Sequence, residues 1–518
     1  MKSVLLFVID ALASRVVVPA LQRGQLPHMA ELIARGTLAE ESVAVFPSIT
    51  PAATASLVTG CYPSDHGIAG AHWYDEQKDE IAYYGDDFWV ILQKGFGRFF
   101  NDFLVRLNGD RLKRATAFEI VEKHNRKAGC VNYLWFRGES EHEVHTPFLL
   151  RLVPGIPGVK SIPGPHLLCL GDFVAEEVDE PSQDVSELAS SDAGLAHRYG
   201  FDDSKSAEYL LQLARTGFPD FTLVYFPDND FESHRVGPRA ALPVLEAFDE
   251  NLGKLFDVFG GCDSLLERMA VVITGDHSQS DMVDDKKEAR IALDELLSEY
   301  TIAKAGSAWR AADQLMICPN MRAAQLYLRH DVDLDRRRLV ETILSDQRVD
   351  HAIWLQSKSG VSEFHVATSD RGVLRFHRGD QGENSATDLY GTTWSWDGEL
   401  AAVDAQCTDD GQLRFGDYPN AFERIVGAFG KESGNLWLSA RPGYEFGLPR
   451  TEVHPGGSHG SLHAVDSLSP LIVAGAPQGI EVPPHPRSID VLPLCLKLLG
   501  IERPSSVGAT SDPWSHAR

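Results

Sequence analysis

The chain has 518 residues, 43% of them hydrophobic and 24% charged, with a formal net charge of −26. That length suits two to four units, or one large α/β domain with insertions, at roughly 100–200 residues per domain. The acidic balance argues against a nucleic-acid polymer or an anionic membrane surface as partner, and no apolar run reaches the ~18–20 residues of a membrane span.

Met1-Lys2 followed by Ser3–Ile9 faintly resembles a secretory leader, but the apolar run is short and Asp10 interrupts it. It reads better as a buried first strand. Seven scattered cysteines, an odd number without a CxxC pair, agree with a reducing compartment and argue against a cysteine-based zinc site. A cytoplasmic protein is therefore expected. His28–Arg35 reads as a short helix stopped by Gly36. In Ser48-Ile49-Thr50-Pro51, Thr50 stands where an N-cap belongs, with Pro51 at the first helical position and small residues after it. Thr50 is then a helix cap, or a hydroxyl placed beside free N–H groups and the positive dipole end, where a phosphoryl group would sit well.

Residues 76–125 are aromatic-rich and mixed, and read as a small insertion. Phe221–Phe226 and Met269–Thr274 are apolar without alternation, as strands buried on both faces are. Ala240–Phe259 carries its apolar residues on one helical face. Residues 301–430 hold a possible βαβ stretch (Arg322–Leu328, a helix near Arg336–Leu344, His351–Leu355) and Asp-Gly turns at 397–398 and 410–411. Leu471–Ala474 reads as another central strand, and Ser488–Leu499 as a helix ending at Gly500. The expected fold is α/β: a mostly parallel central sheet flanked by helices, formed by 1–300 and 431–518, with 301–430 as an inserted α+β cap.

Three of the buried runs end in acid. Ser3–Ile9 leads into Asp10, Phe221–Phe226 into Asp228-Asn229-Asp230, and Met269–Thr274 into Gly275-Asp276-His277. The carboxyl ends of parallel strands share one edge, where open α/β folds bind their ligands. Carboxylates gathered there repel unless cations lie among them. His277, His234 four residues after Asp230, and His459 in the turn Gly456–Gly460 accompany them. Aspartate and histidine without cysteine suit zinc or a similar metal. Each residue alone is an ordinary turn or cap residue; the joint pattern is what points to a metal site.

These blocks, together with Phe46-Pro47-Ser48-Ile49-Thr50-Pro51, Leu57-Val58-Thr59-Gly60-Cys61-Tyr62-Pro63-Ser64-Asp65-His66-Gly67-Ile68 and Trp73-Tyr74-Asp75, resemble the type I phosphodiesterase/nucleotide pyrophosphatase family of the alkaline phosphatase superfamily. The resemblance covers residues 1–75, 221–280 and 451–500. It implies an alkaline-phosphatase-like core, two zinc ions and Thr50 as both metal ligand and nucleophile, passing through a phospho-threonine intermediate. Asp10, Asp276 and His277 would hold one metal; Asp230, His234 and His459 the other. The substrate would be a small phosphoester or nucleotide. Ile49 stands where many relatives have lysine, and Ala53 where they have asparagine, so a phosphomonoesterase or phosphonate hydrolase on the same site is the alternative. A metal-binding module without turnover is the non-enzymatic one. Asp230 rather than Asp228 keeps the spacing to His234. His454 and His463 are either a supporting layer or solvated loop histidines, and His66 reads as structural. Cys61–Asp65 resembles a sulfatase motif with Asp65 in place of arginine, but follows the threonine helix and is discounted.

Overall fold

In the computed structural model the described residues are 2–84, 102–145, 159–174, 200–304, 307–331, 334–358, 361–447 and 453–507. The middle of the expected 76–125 insertion, residues 85–101, lies outside them.

Two large sheets organise the described residues. In the first, seven strands run in the order Gly36–Val43, Leu468–Ala474, Met269–Gly275, Ser3–Ile9, Phe221–Phe226, Ala128–Val131, Leu167–Cys169. Ser3–Ile9 is central and pairs in parallel with Met269–Gly275 on one side and Phe221–Phe226 on the other. Its side chains alternate between two cores. Val4, Leu6 and Val8 pack with the helices Thr50–Thr59, Ala117–Lys123 and Val491–Leu498. Leu5, Phe7 and Ile9 pack with Pro27–Ala34, Asp203–Thr216 and Leu242–Phe259. Helices on both faces explain why the strand is apolar throughout rather than alternating.

One strand breaks the expected direction. Leu468–Ala474 runs antiparallel to both Met269–Gly275 and Gly36–Val43. Gly36, expected to stop a helix, begins that second strand instead. A Cβ there would lie 2.2 Å from the carbonyl oxygen of Val473.

The second sheet has ten strands, built mainly from residues 315–415. Ala323–Leu328, the helix Arg336–Leu344 and Val349–Lys358 form the anticipated βαβ unit, but it is split. Leu436–Ala440 lies between the two strands, antiparallel to each. The sheet thus draws on residues past 430, where the sequence reading ended the insertion. Asp410-Gly411 does turn a hairpin, between Ala405–Cys407 and Gln412–Phe415. Asp397-Gly398 instead continues a strand, paired with Arg375 and Leu374.

A candidate metal centre and nucleophile

Asp10 follows the central strand, Asp276 follows its neighbour Met269–Gly275, and Asp230 lies in the first turn of the helix Asp228–Val236 that follows Phe221–Phe226. The parallel register brings these three acids to one sheet edge. His234 lies four residues beyond Asp230 on the same helical face, with Nε2 3.3 Å from Asp230 Oδ2. His277 Nε2 is 3.4 Å from Asp10 Oδ1 and 3.3 Å from Asp276 Oδ2. His459 Nε2 is 3.5 Å from Asp230 Oδ1, and its ring stacks on His277 with centroids 3.8 Å apart. Thr50 Oγ1 lies 3.0 Å from His277 Nε2. All seven expected site residues therefore share one locus.

Thr50 is not the cap. Ile49 occupies that position, Thr50 is the first helical residue, and its hydroxyl faces His277 instead of its own helix. The helix N-terminus still presents first-turn N–H groups, less the one Pro51 lacks.

The hydrogen bonds around the cluster are one-sided. Each of the three histidines donates Nδ1–H to a backbone carbonyl: His234 to Gly457 (2.8 Å), His277 to Ser278 (3.0 Å), His459 to Ser48 (2.8 Å). That fixes the tautomer and leaves Nε2 as a lone-pair donor. The carboxylates behave alike. Asp10 Oδ2 accepts from the Tyr225 hydroxyl, and Asp276 Oδ1 from the N–H groups of Ala11 (3.2 Å) and His277 (2.9 Å). Their other oxygens, Asp10 Oδ1 and Asp276 Oδ2, are buried without a hydrogen bond, as are Nε2 of His234 and His459. Buried polar atoms are normally satisfied. Such orphans gathered at one sheet edge fit cations. Donor atoms of Asp10, Asp276 and His277 lie within 4.8 Å of one another, as do those of Asp230, His277 and His459.

The electrostatics agree. Burial, with repulsion from Asp276 and Asp230, raises Asp10 well above the usual carboxylate range. Burial also raises Asp276. Burial opposes charge on Asp230 too, but His234, His459 and His277 outweigh it and pull that carboxyl down. Burial and its histidine neighbours hold His459 far below its ordinary value, hence neutral. A neutral His459 beside crowded carboxylates is in the form that can ligate a metal.

Asp228 begins the same helix: its backbone N–H donates to Asp203 Oδ1 (3.0 Å), and burial and the nearby Asp228 raise the Asp203 carboxyl. The His454 ring lies against His234, tilted 30° with centroids 3.9 Å apart, and pairs with the buried Glu445 at 3.0 Å. His463 instead caps Ala464–Ser467 through Val465 N–H. His66 accepts from Ile68 N–H (3.2 Å) and lies 2.9 Å from Ser56 Oγ, a structural pairing. Tyr225 and Gln279, whose Nε2 donates to Asp230 Oδ1 (2.8 Å), escaped the sequence reading. Gly457 admits this packing, since a Cβ there would lie 2.5 Å from Gln279 Oε1 and 2.7 Å from Ser233 O.

A family model described as type I phosphodiesterase/nucleotide pyrophosphatase matches residues 4–462. The chain belongs to this family. It is thus an enzyme of the phosphoester-hydrolase group within the alkaline phosphatase superfamily, whose members require metal. Its fold is shared with murine ectonucleotide pyrophosphatase/phosphodiesterase 5, in an inactive threonine-to-alanine form complexed with AMP (TM-score 0.59, 11% identity, 99% of this chain and 98% of that one). It is shared likewise with the human ectonucleotide pyrophosphatase/phosphodiesterase 5 (0.53, 14%, 98% and 97%). Phosphonoacetate hydrolase from Sinorhizobium meliloti 1021, in complex with phosphonoformate, matches at 0.53 and 16% over 96% of both chains. Among the described residues no helix is long and apolar enough to cross a membrane.

Proposed function

We propose that the chain hydrolyses small phosphodiesters or nucleotides with Thr50 as nucleophile and two zinc ions as cofactors. The observation that carries this reading is the Thr50 hydroxyl standing 3.0 Å from His277 Nε2, beside four buried donor atoms that lack partners. Asp10, Asp276 and His277 would hold one ion, and Asp230, His234 and His459 the other. Zinc suits an Asp/His set without cysteine. Bound there, the two ions would lower the pKa of the Thr50 hydroxyl and neutralise charge developing on the phosphoryl oxygens.

The chain's own groups supply the rest. The Thr50 Oγ–P bond forms as the P–O bond to the leaving alcohol breaks, and the hydroxyl proton leaves with the departing group or solvent. Water then attacks phosphorus and the Oγ–P bond breaks, restoring Thr50. First-turn N–H groups of the Thr50–Thr59 helix face the phosphoryl group. Tyr225 and Gln279 fix the carboxylates of Asp10 and Asp230. The inactive threonine-to-alanine form of the murine relative and its bound AMP accord with this reading. The Ile49 and Ala53 side chains supply no donor, which keeps a phosphomonoesterase or phosphonate hydrolase as the second reading. A cytoplasmic location belongs to the same proposal.

The test is zinc-loaded protein acting on bis(4-nitrophenyl) phosphate. EDTA should abolish turnover, and Thr50→Ala should lose at least ~10³-fold in kcat while keeping its zinc and its melting curve. A folded, zinc-loaded Thr50→Ala protein with full activity would remove Thr50 from the mechanism.

A further inference from the structure

In the second sheet, Leu315–Asn320 and Ala323–Leu328 pair as far as Asn320 with Ala323, so only Met321 and Arg322 turn the corner. The first position of such a loop has positive φ and favours Gly, Asn or Asp. Met321 occupies it with φ of 57°. A side chain this large persists there only where its surroundings over-determine the backbone.

They do so on both sides. Asn320 Oδ1 accepts from the N–H groups of Ala71 (2.7 Å) and His72 (3.0 Å), and its Nδ2 donates to His72 O (2.8 Å). Arg322 N–H donates to His459 O (2.9 Å), and its fully buried guanidinium is tied to Asp466 and Ser280. Phe446 N–H donates to Met321 O (2.9 Å). The corner is thus fastened to the segment after the Thr50 helix and to the turn bearing His459. Met321 packs against Ile49, Ala52 and Ala71. Ile49 immediately precedes Thr50. The three core members are buried, whereas Met321 and Thr50 are both half-exposed. The half-exposed member of this cluster, Met321, thus comes from the second sheet, and its buried partner Ile49 adjoins Thr50 in the chain.

We propose that Met321 is a specificity-determining residue that receives an apolar alkyl or aryl substituent on phosphorus and disfavours a bare phosphoryl oxygen at that place. This rests on Thr50 being the nucleophile. An anionic oxygen set against the Met321 thioether would lose water without gaining a donor. An organic substituent gains by leaving water, and a thioether side chain adapts to varied shapes.

The test compares three substrates sharing one leaving group: 4-nitrophenyl phosphate, methyl 4-nitrophenyl phosphate and phenyl 4-nitrophenyl phosphate. Wild type should prefer the phenyl over the methyl diester, and both over the monoester. Met321→Asn, which suits positive φ, should lower the phenyl-diester to monoester ratio of kcat/KM at least ~10-fold, the scale of one lost apolar contact. Met321→Leu should hold that ratio within about threefold. Zinc content and melting temperature are read for each variant. An unchanged ratio in folded, zinc-loaded Met321→Asn would overturn the role of Met321 while leaving Thr50 in place. Wild type hydrolysing none of the three would overturn both.

Discussion

Tyr225→Phe removes one oxygen and should expose how the carboxylates are held. The hydroxyl donates to Asp10 Oδ2, and the ring packs edge-on against Tyr133 with centroids 5.5 Å apart, a contact that phenylalanine keeps. Without the hydroxyl, Oδ2 of a carboxylate only 4% exposed loses its donor. A buried acceptor left unsatisfied costs about 1–3 kcal/mol. The loss falls on the charged form, because the tyrosine bond is what pulls the Asp10 carboxyl down against burial, Asp276 and Asp230. In the variant Asp10 binds its proton more tightly, and that proton competes with the metal. Removing such a supporting group typically weakens metal binding 10–100-fold. Zinc affinity measured by chelator competition should fall by that factor, and the deficit should widen as pH falls. An affinity and pH slope equal to wild type would refute both Asp10 as a ligand and Tyr225 as its positioning group.

Arg322→Met should destabilise the fold by about 3–5 kcal/mol in urea, because it strands Asp466 with both side chains fully buried; adding Asp466→Leu should recover part of it. Equal midpoints for Arg322→Met and wild type would mean that the pair carries no stability. Gly457→Ala should cost about 1–3 kcal/mol by overpacking and displace Gln279 from Asp230, read as a lower melting temperature together with reduced zinc stoichiometry. Burial depresses His66 to about 3, so its neutral form contributes full stability above its ordinary 6.5, and that contribution is lost as pH falls from there toward 3. The stability difference between wild type and His66→Asn should shrink over that window by at most about 1.4 kcal/mol per pH unit; a flat difference would contradict a buried neutral imidazole.

Composition revealed which segments are buried on both faces, and so located Ser3–Ile9, Phe221–Phe226 and Met269–Gly275. It did not reveal direction: Leu468–Ala474 has the same apolar character and runs the other way, since burial is indifferent to polarity of the chain. Gly36–Val43 went unseen because it is half-exposed and carries Glu40 and Glu41. Ala128–Val131 and Leu167–Cys169 are too short for a periodic signal. In the site, strand-end acids and motif histidines were legible because their chemistry is local to the motif. Tyr225 and Gln279 were not. One sits in a strand that reads as core, the other beyond a loop, and only the tertiary fold aims them. Spacing to His234 favoured Asp230 over Asp228, and the helix sets Asp230 Oδ2 3.3 Å from His234 Nε2.

The position of the last strands bears on how the molecule is made. Leu468–Ala474 is an interior strand of the first sheet, and Leu436–Ala440 an interior strand of the second. During vectorial synthesis neither sheet can close until most of the chain has left the ribosome, and both then close through contacts distant in sequence, which is slow. His459 lies between these two strands. A nascent chain therefore exposes unpaired strand edges for most of its synthesis, yet cannot hold a complete ligand set before both sheets are ready to shut.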